Sequence, residues 1–161
     1  MPVSKYDFIY QTEITLPVPL EDVFQFFSQS ENLQTLTPPW LDFKINTRLP
    51  IEMKTGTLID YQLRLYKIPI RWKTEITEWN PPYKFADTQL KGPYKKWVHE
   101  HIFVEKDGVC LIIDKVNYQV PGWILSPLIN HLFVKRDIKR IFDFRHKKIL
   151  QHFGSTDYKI I

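Results

Sequence analysis

Residues 58–120 constrain the fold most, because apolar and polar side chains alternate there and turn signals recur at short intervals. In residues 58–66, Ile59, Tyr61, Leu63 and Leu65 alternate with Asp60, Gln62 and Arg64. In residues 70–79, Ile70, Trp72, Thr74 and Ile76 share one face. Residues 83–90, 96–105 and 109–120 continue the series. The breaks fall at Lys67-Ile68-Pro69, Asn80-Pro81-Pro82, Gly92-Pro93 and Lys106-Asp107-Gly108. A period of two is that of a strand with one buried face. Parallel neighbours need connections of about a dozen residues or more, so these strands form an antiparallel meander.

The flanks obey other periods. Residues 6–16 alternate through Phe8, Tyr10, Ile14 and Leu16 and stop at Pro17, which predicts a first strand. Pro19-Leu20-Glu21-Asp22 opens a short helix with Val23, Phe24, Phe26 and Phe27 on its apolar side. Ser30 is the expected cap of a second short helix, residues 30–36, which ends at Thr37-Pro38-Pro39. Residues 43–49 read as a short strand, and Gly56 punctuates the way into the next. Residues 126–153 then carry apolar side chains at steps of three and four, which predicts one long amphipathic helix, irregular near Val134. The tail, residues 154–161, is expected to fray. The order is one strand, two short helices, six strands and a long helix that covers the sheet. A strongly curved sheet cannot touch a straight helix everywhere, so a cavity is expected between them.

Composition narrows the function classes. A chain of 161 residues is expected to form a single domain, with a core at about 6–153, and to bury roughly 70% of its unfolded surface without staples. Aromatic residues make up 15% of it, enough for a lined pocket as well as a core. The lone Cys110 excludes an internal disulfide and a multi-cysteine zinc site, and its apolar run marks it as an inert thiol. The opening residues lack the apolar stretch of a secretory signal, and no segment reaches about 18 uncharged apolar residues. A cytoplasmic setting is the expectation. Residues 123–153 hold seven Lys or Arg against two Asp, so they account for the whole net charge of +4. That run reads as a solvated helix face, with a transient membrane contact as an alternative and nucleic acid not expected. No phosphate-binding glycine loop or serine-nucleophile elbow occurs, which disfavours nucleotide-dependent chemistry.

This order of elements resembles the helix-grip fold of the START-like (SRPBCC) superfamily, which includes the birch-pollen allergen family, polyketide cyclases and dehydrases, and lipid-transfer domains. The resemblance spans residues 6–153. It is carried by Pro19-Leu20-Glu21-Asp22-Val23-Phe24-Gln25-Phe26-Phe27, Thr37-Pro38-Pro39-Trp40, Gly56-Thr57, Glu78-Trp79-Asn80-Pro81-Pro82 and the stretch from Gly92-Pro93 to Ile102-Phe103. These motifs look like those of the bacterial cyclase/dehydrase-like ligand-binding branch. The resemblance implies an α+β helix-grip fold: a curved antiparallel sheet of about seven strands, two short helices, and a long C-terminal helix over a cavity. It implies a hydrophobic ligand such as a lipid, isoprenoid, polyketide or aromatic. It does not imply a reaction, since the fold hosts carriers, receptors and enzymes alike.

Alternation also places polar groups inside. Trp97, His99, His101 and Phe103 share a face, as do Phe85, Asp87 and Gln89, and so do Ile112, Asp114, Val116 and Tyr118. Neighbouring strands would gather Asp87, Gln89, His99, His101 and Asp114 in the interior. In one reading they form a buried hydrogen-bond network. In a second they anchor a ligand in a pocket. In a third, His99 or His101 works with Asp114 as the acid–base pair of a cyclase/dehydrase-like enzyme. His99 and His101 with a carboxylate could ligate a metal, but the resemblance supplies no precedent, so no metal and no cofactor is expected. Expected pocket walls are Tyr61, Trp72, Trp97 and Tyr118, with Phe26, Phe27 and Trp123 as further candidates. Leu128, Leu132, Ile141 and Phe142 are the expected helix-side walls. Trp40 either gates an opening or pins its loop.

Overall fold

The structure, a computed structural model, describes residues 6–154. The expected frayed tail lies outside the described residues from 155 onward. Seven antiparallel strands form one sheet: β1 (Phe8–Leu16), β2 (Lys44–Ile45), β3 (Leu58–Leu65), β4 (Ile68–Asn80), β5 (Lys84–Lys91), β6 (Lys96–Lys106) and β7 (Val109–Gln119). Their order across the sheet is β1-β7-β6-β5-β4-β3-β2. β1 and β2 are thus opposite edges, and the short helices α1 (Leu20–Ser28) and α2 (Ser30–Leu36) carry the chain from one to the other. Two register shifts between β4 and β5, at Lys73/Thr74 and Ile76/Glu78, bend the sheet at its middle.

Several local expectations change for physical reasons. β2 is two residues long in place of the expected 43–49. Beyond Ile45, the backbone N–H groups of Asn46 and Thr47 both donate to the Asp60 carbonyl, and Thr47 Oγ1 accepts from Asp60 N at 2.8 Å, so a side chain replaces the ladder. The β3–β4 turn is tighter than expected. Tyr66 and Lys67 sit at φ 51° and 69°, a two-residue hairpin loop, and Ile68 and Pro69 already belong to β4. Pro69 fits because that stretch of β4 pairs only with β3. Ser30 is the first residue of α2 and hydrogen-bonds Glu31, while Gln29 holds the cap position.

The C-terminal helix carries a defect. A 3-10 turn (Trp123–Leu125) leads into α3 (Ser126–Ile129), a π-helical turn (Asn130–Val134) and α4 (Lys135–Phe153). The expected irregularity near Val134 is this π turn. A wider turn rotates the apolar stripe relative to the sheet. Leu128 and Leu132, expected as inner walls, consequently face solvent at 56% and 48% exposure, while Ile138 and Phe142 beyond the turn are buried. Gly154, at φ 67°, ends α4 and donates its N–H to the Leu150 carbonyl.

Candidate functional site

A cavity of about 420 Å³ opens between the curved sheet, the α2 end and α4. Its wall includes Tyr61, Trp72 and Trp97 from the sheet, Phe27 from α1, and Ile141 and Phe142 from α4. Trp72 is the centre of the aromatic side, stacked on Tyr61 at 5.8 Å and edge-on to Trp97 at 5.5 Å. Its buried indole Nε1 has no hydrogen-bond partner among the described residues. Asp87, His99 and His101 supply the polar part of the wall.

The β5-β6-β7 register explains that polar part. Asp87 lies opposite His99, and His101 lies opposite Asp114, all on the inward face. Asp114 is fully buried behind the two imidazoles. Its Oδ1 stands 2.9 Å from His99 Nε2 and 2.8 Å from His101 Nδ1, the second contact off the line of a good hydrogen bond. Asp87 Oδ2 faces the other edges of the rings, 3.8 Å from His99 Nδ1 and 3.7 Å from His101 Nε2. Thr74 donates to Asp87 Oδ1 at 3.0 Å and holds that carboxylate in place.

Burial opposes charge on Asp114, but the two histidines outweigh it and hold its carboxyl well below the ordinary range. Asp87 is lowered in the same way, burial being overcome by His101, His99 and the Thr74 hydroxyl. The imidazoles part company. Burial and the neighbouring His101 charge lower His99, whereas the two carboxylates overcome burial and raise His101. Groups of one type pushed apart by their surroundings can divide proton donation and acceptance between them.

The sequence-predicted residues are not all at the cavity. Gln89 turns away and caps the Gly92 turn, its Nε2 donating to the Tyr94 carbonyl at 2.7 Å. A Cβ at Gly92 would come within 2.3 Å of the Gln89 amide oxygen, so any side chain there would push this amide out of its place. Tyr118 is packed beneath α4, its hydroxyl donating to Asn130 Oδ1 at 2.8 Å. Phe26 stacks on His152 at 4.1 Å, away from the cavity, and Trp123 is 69% exposed. Trp40 pins its loop to α4, with Arg140 over its ring at 5.3 Å and Phe144 edge-on at 5.6 Å.

Arg145 is the residue that sequence reasoning misplaced. Counted with the solvated basic face, it is instead 9% exposed, on the cavity wall, with Nη1 3.9 Å from Asp114 Oδ1. Its spacing carried the signal: Ile138, Phe142, Arg145 and Ile149 follow steps of four, three and four along one buried stripe. Charge type outweighed position in the sequence reading.

No known family model and no curated protein matches the sequence. Among solved structures, TTHA0849 from Thermus thermophilus is similar over 89% of this chain and 98% of its own, with a TM-score of 0.68 and 15% identity. Major latex-like protein 151 from Panax ginseng covers 92% of this chain and 98% of its own, with a TM-score of 0.66 and 12% identity. Norcoclaurine synthase from Thalictrum flavum, in complex with dopamine and hydroxybenzaldehyde, covers 91% and 88%, with a TM-score of 0.63 and 16% identity. The chain has a helix-grip fold. In this helix-grip protein the cavity takes the expected place between sheet and long helix. Among the described residues, no helix is long and apolar enough to cross a membrane.

Proposed function

We propose that this helix-grip protein binds a hydrophobic small molecule in its cavity and that the molecule carries at least one oxygen. The observation that carries this reading is an aromatic-walled cavity of about 420 Å³ with its polar groups gathered at Asp87, His99 and His101. The volume is that of a small-molecule site. The Trp72 Nε1 on the same wall, without a partner among the described residues, is a donor awaiting an acceptor. A lipid, isoprenoid, polyketide or aromatic compound fits these terms, and a cytoplasmic carrier is the simplest role.

Native mass spectrometry of the purified protein, followed by solvent extraction, tests the reading. A discrete apolar adduct that raises the melting temperature supports it. A clean apoprotein that also fails to bind hydrophobic fluorescent probes sinks it. A second reading, an enzyme of the cyclase/dehydrase kind, is favoured by the paired His99/Asp114 and His101/Asp114 contacts within reach of the cavity. His99→Gln separates the two: a carrier keeps binding with altered affinity, whereas an enzyme binds without turnover.

Loading from a membrane is supported by an exposed apolar stretch that runs up to the cavity at Phe133. Trp123, Ile124, Leu125, Leu128, Leu132 and Phe133 are each 47% exposed or more, and Lys135 and Arg136 follow directly. Phe133, Tyr66 and Asp137 all line the cavity, and the Tyr66 hydroxyl donates to Asp137. Trp123→Ser/Ile124→Ser should then abolish sedimentation with anionic vesicles, a loss that Lys139→Glu/Arg140→Glu would not reproduce.

A further inference from the structure

Asp87 Oδ2, His99 Nδ1 and His101 Nε2 converge on one point of the cavity wall, and we propose that they ligate a single divalent transition-metal ion. One ligand atom from each residue lies within 4.8 Å of the others. Ligands about 2.0–2.1 Å from a tetrahedral Zn2+ stand about 3.3 Å apart. The observed separations of 3.8 and 3.7 Å from Asp87 Oδ2 to the two ring nitrogens are within about 0.5 Å of that spacing, and the two nitrogens, within 4.8 Å of each other, would draw together by ring rotation on binding.

A second, independent observation is how the rings are held. The nitrogen of each imidazole that faces away from Asp87 stands beside the same buried oxygen, Asp114 Oδ1: His99 Nε2 hydrogen-bonds it at 2.9 Å, and His101 Nδ1 lies 2.8 Å from it but off the hydrogen-bond line. A carboxylate behind a ligating histidine fixes the tautomer, so that the proton sits on the outer nitrogen and the lone pair points at the metal. Here Asp114 holds the His99 ring by that hydrogen bond and stands against the His101 ring as a close charge. With both imidazoles neutral, three electron-pair donors face each other around one point, which is repulsive unless a cation joins them. The charge count agrees. Asp87 and Asp114 face the cluster from β5 and β7, and Arg145 from α4 offsets only one of them. One negative charge stays uncompensated in the interior, and a divalent ion or a proton must meet it.

Two nitrogens and one carboxylate oxygen suit zinc, iron or cobalt rather than magnesium or calcium. Three protein ligands leave at least one coordination position, and it opens to the cavity that Trp72 and Ile141 line. An oxygen-bearing molecule in the cavity would reach it. The site itself rests on the cluster geometry and stands whether or not the cavity binds an organic ligand.

The test uses full-length, tag-free protein stripped with EDTA and titrated with Zn2+ by calorimetry and with Co2+ by visible absorption. One ion per chain is expected, with a dissociation constant in the micromolar range or below. His99→Gln and His101→Gln should each weaken Zn2+ binding by more than about 100-fold, and Asp114→Asn, which only orients the rings, by about 10–100-fold. His131→Gln/His152→Gln, both on exposed positions, should leave it unchanged. Circular dichroism reports whether each variant folds, and Asp87→Asn replaces any histidine variant that does not. Absence of stoichiometric binding, affinity that survives His99→Gln/His101→Gln, or loss caused by the surface pair alone would overturn the proposal.

Discussion

The two ends of the sheet are built from the same alternating strands, yet one is solid and the other hollow. At the solid end, Phe24, Phe27, Phe103 and Ile112 pack against Ile149 and Leu150 of α4 in one buried cluster. Phe103 meets Phe24 and Phe27 edge-on at 5.5 and 5.4 Å. At the hollow end, Leu41, Leu63 and Trp72 form a smaller cluster with Tyr61, Trp97 and Ile141 around the cavity. The difference is the wedge. α1 drives Val23, Phe24 and Phe27 between sheet and helix at one end, and among the described residues no comparable element enters the other. The ionisable cluster sits at the boundary, with Phe85 stacked on His101 at 4.2 Å on one side and Phe142 edge-on to His99 at 5.5 Å on the other. Desolvation from the solid end and access from the hollow end therefore act on the same groups.

Truncation should separate the two ends most sharply. Phe103→Ala removes a ring from the solid end and is expected to cost about 3–5 kcal/mol in urea unfolding. Ile141→Ala on the cavity wall should cost less than half as much, since its side chain already lacks neighbours on one side. Equal costs would mean that the cavity is closed in solution. Enlargement is the next contrast. Ile112→Phe should destabilise by about 1–3 kcal/mol through overpacking, whereas Ile141→Phe should stay within about 0.5 kcal/mol. The same Ile141→Phe should displace any cavity ligand, read as a lost adduct in native mass spectrometry.

The smallest effect concerns acid sensitivity near the boundary. His146 is 2% exposed, and neither ring nitrogen has a hydrogen-bond partner among the described residues. Burial lowers its pKa, with Asp114 and Asp143 opposing and Arg145 and Lys139 reinforcing the shift. A histidine lowered in the folded state binds protons more readily when unfolded, so stability falls as pH drops through its ordinary value of about 6.5. His146→Leu should therefore lose less melting temperature than the unmutated protein between about pH 7.5 and 5.5, the window around that value. An unchanged or larger drop would show that water reaches His146.

Much of this was legible in the residues because it depends on short-range periodicity. Alternation set which residues of β6 and β7 face inward, and the observed His101–Asp114 pairing follows from two strands joined at Asp107-Gly108. Gln89 shows the limit: its face was read correctly, but the Gly92 turn needed its amide more than the cavity did. Leu128 and Leu132 show another, since one π turn between them and Ile138 rotates a stripe that looks continuous in sequence.

The sequence by itself determined the strands, their antiparallel succession, the covering helix and the inward histidines, because each depends on period and turn chemistry within a dozen residues. Only the tertiary structure decided which stretch of α4 touches the sheet, where the cavity opens, and that Arg145 turns inward to Asp114. Those outcomes depend on how far a bent sheet stands from a straight helix, a distance set by residues far apart in the chain.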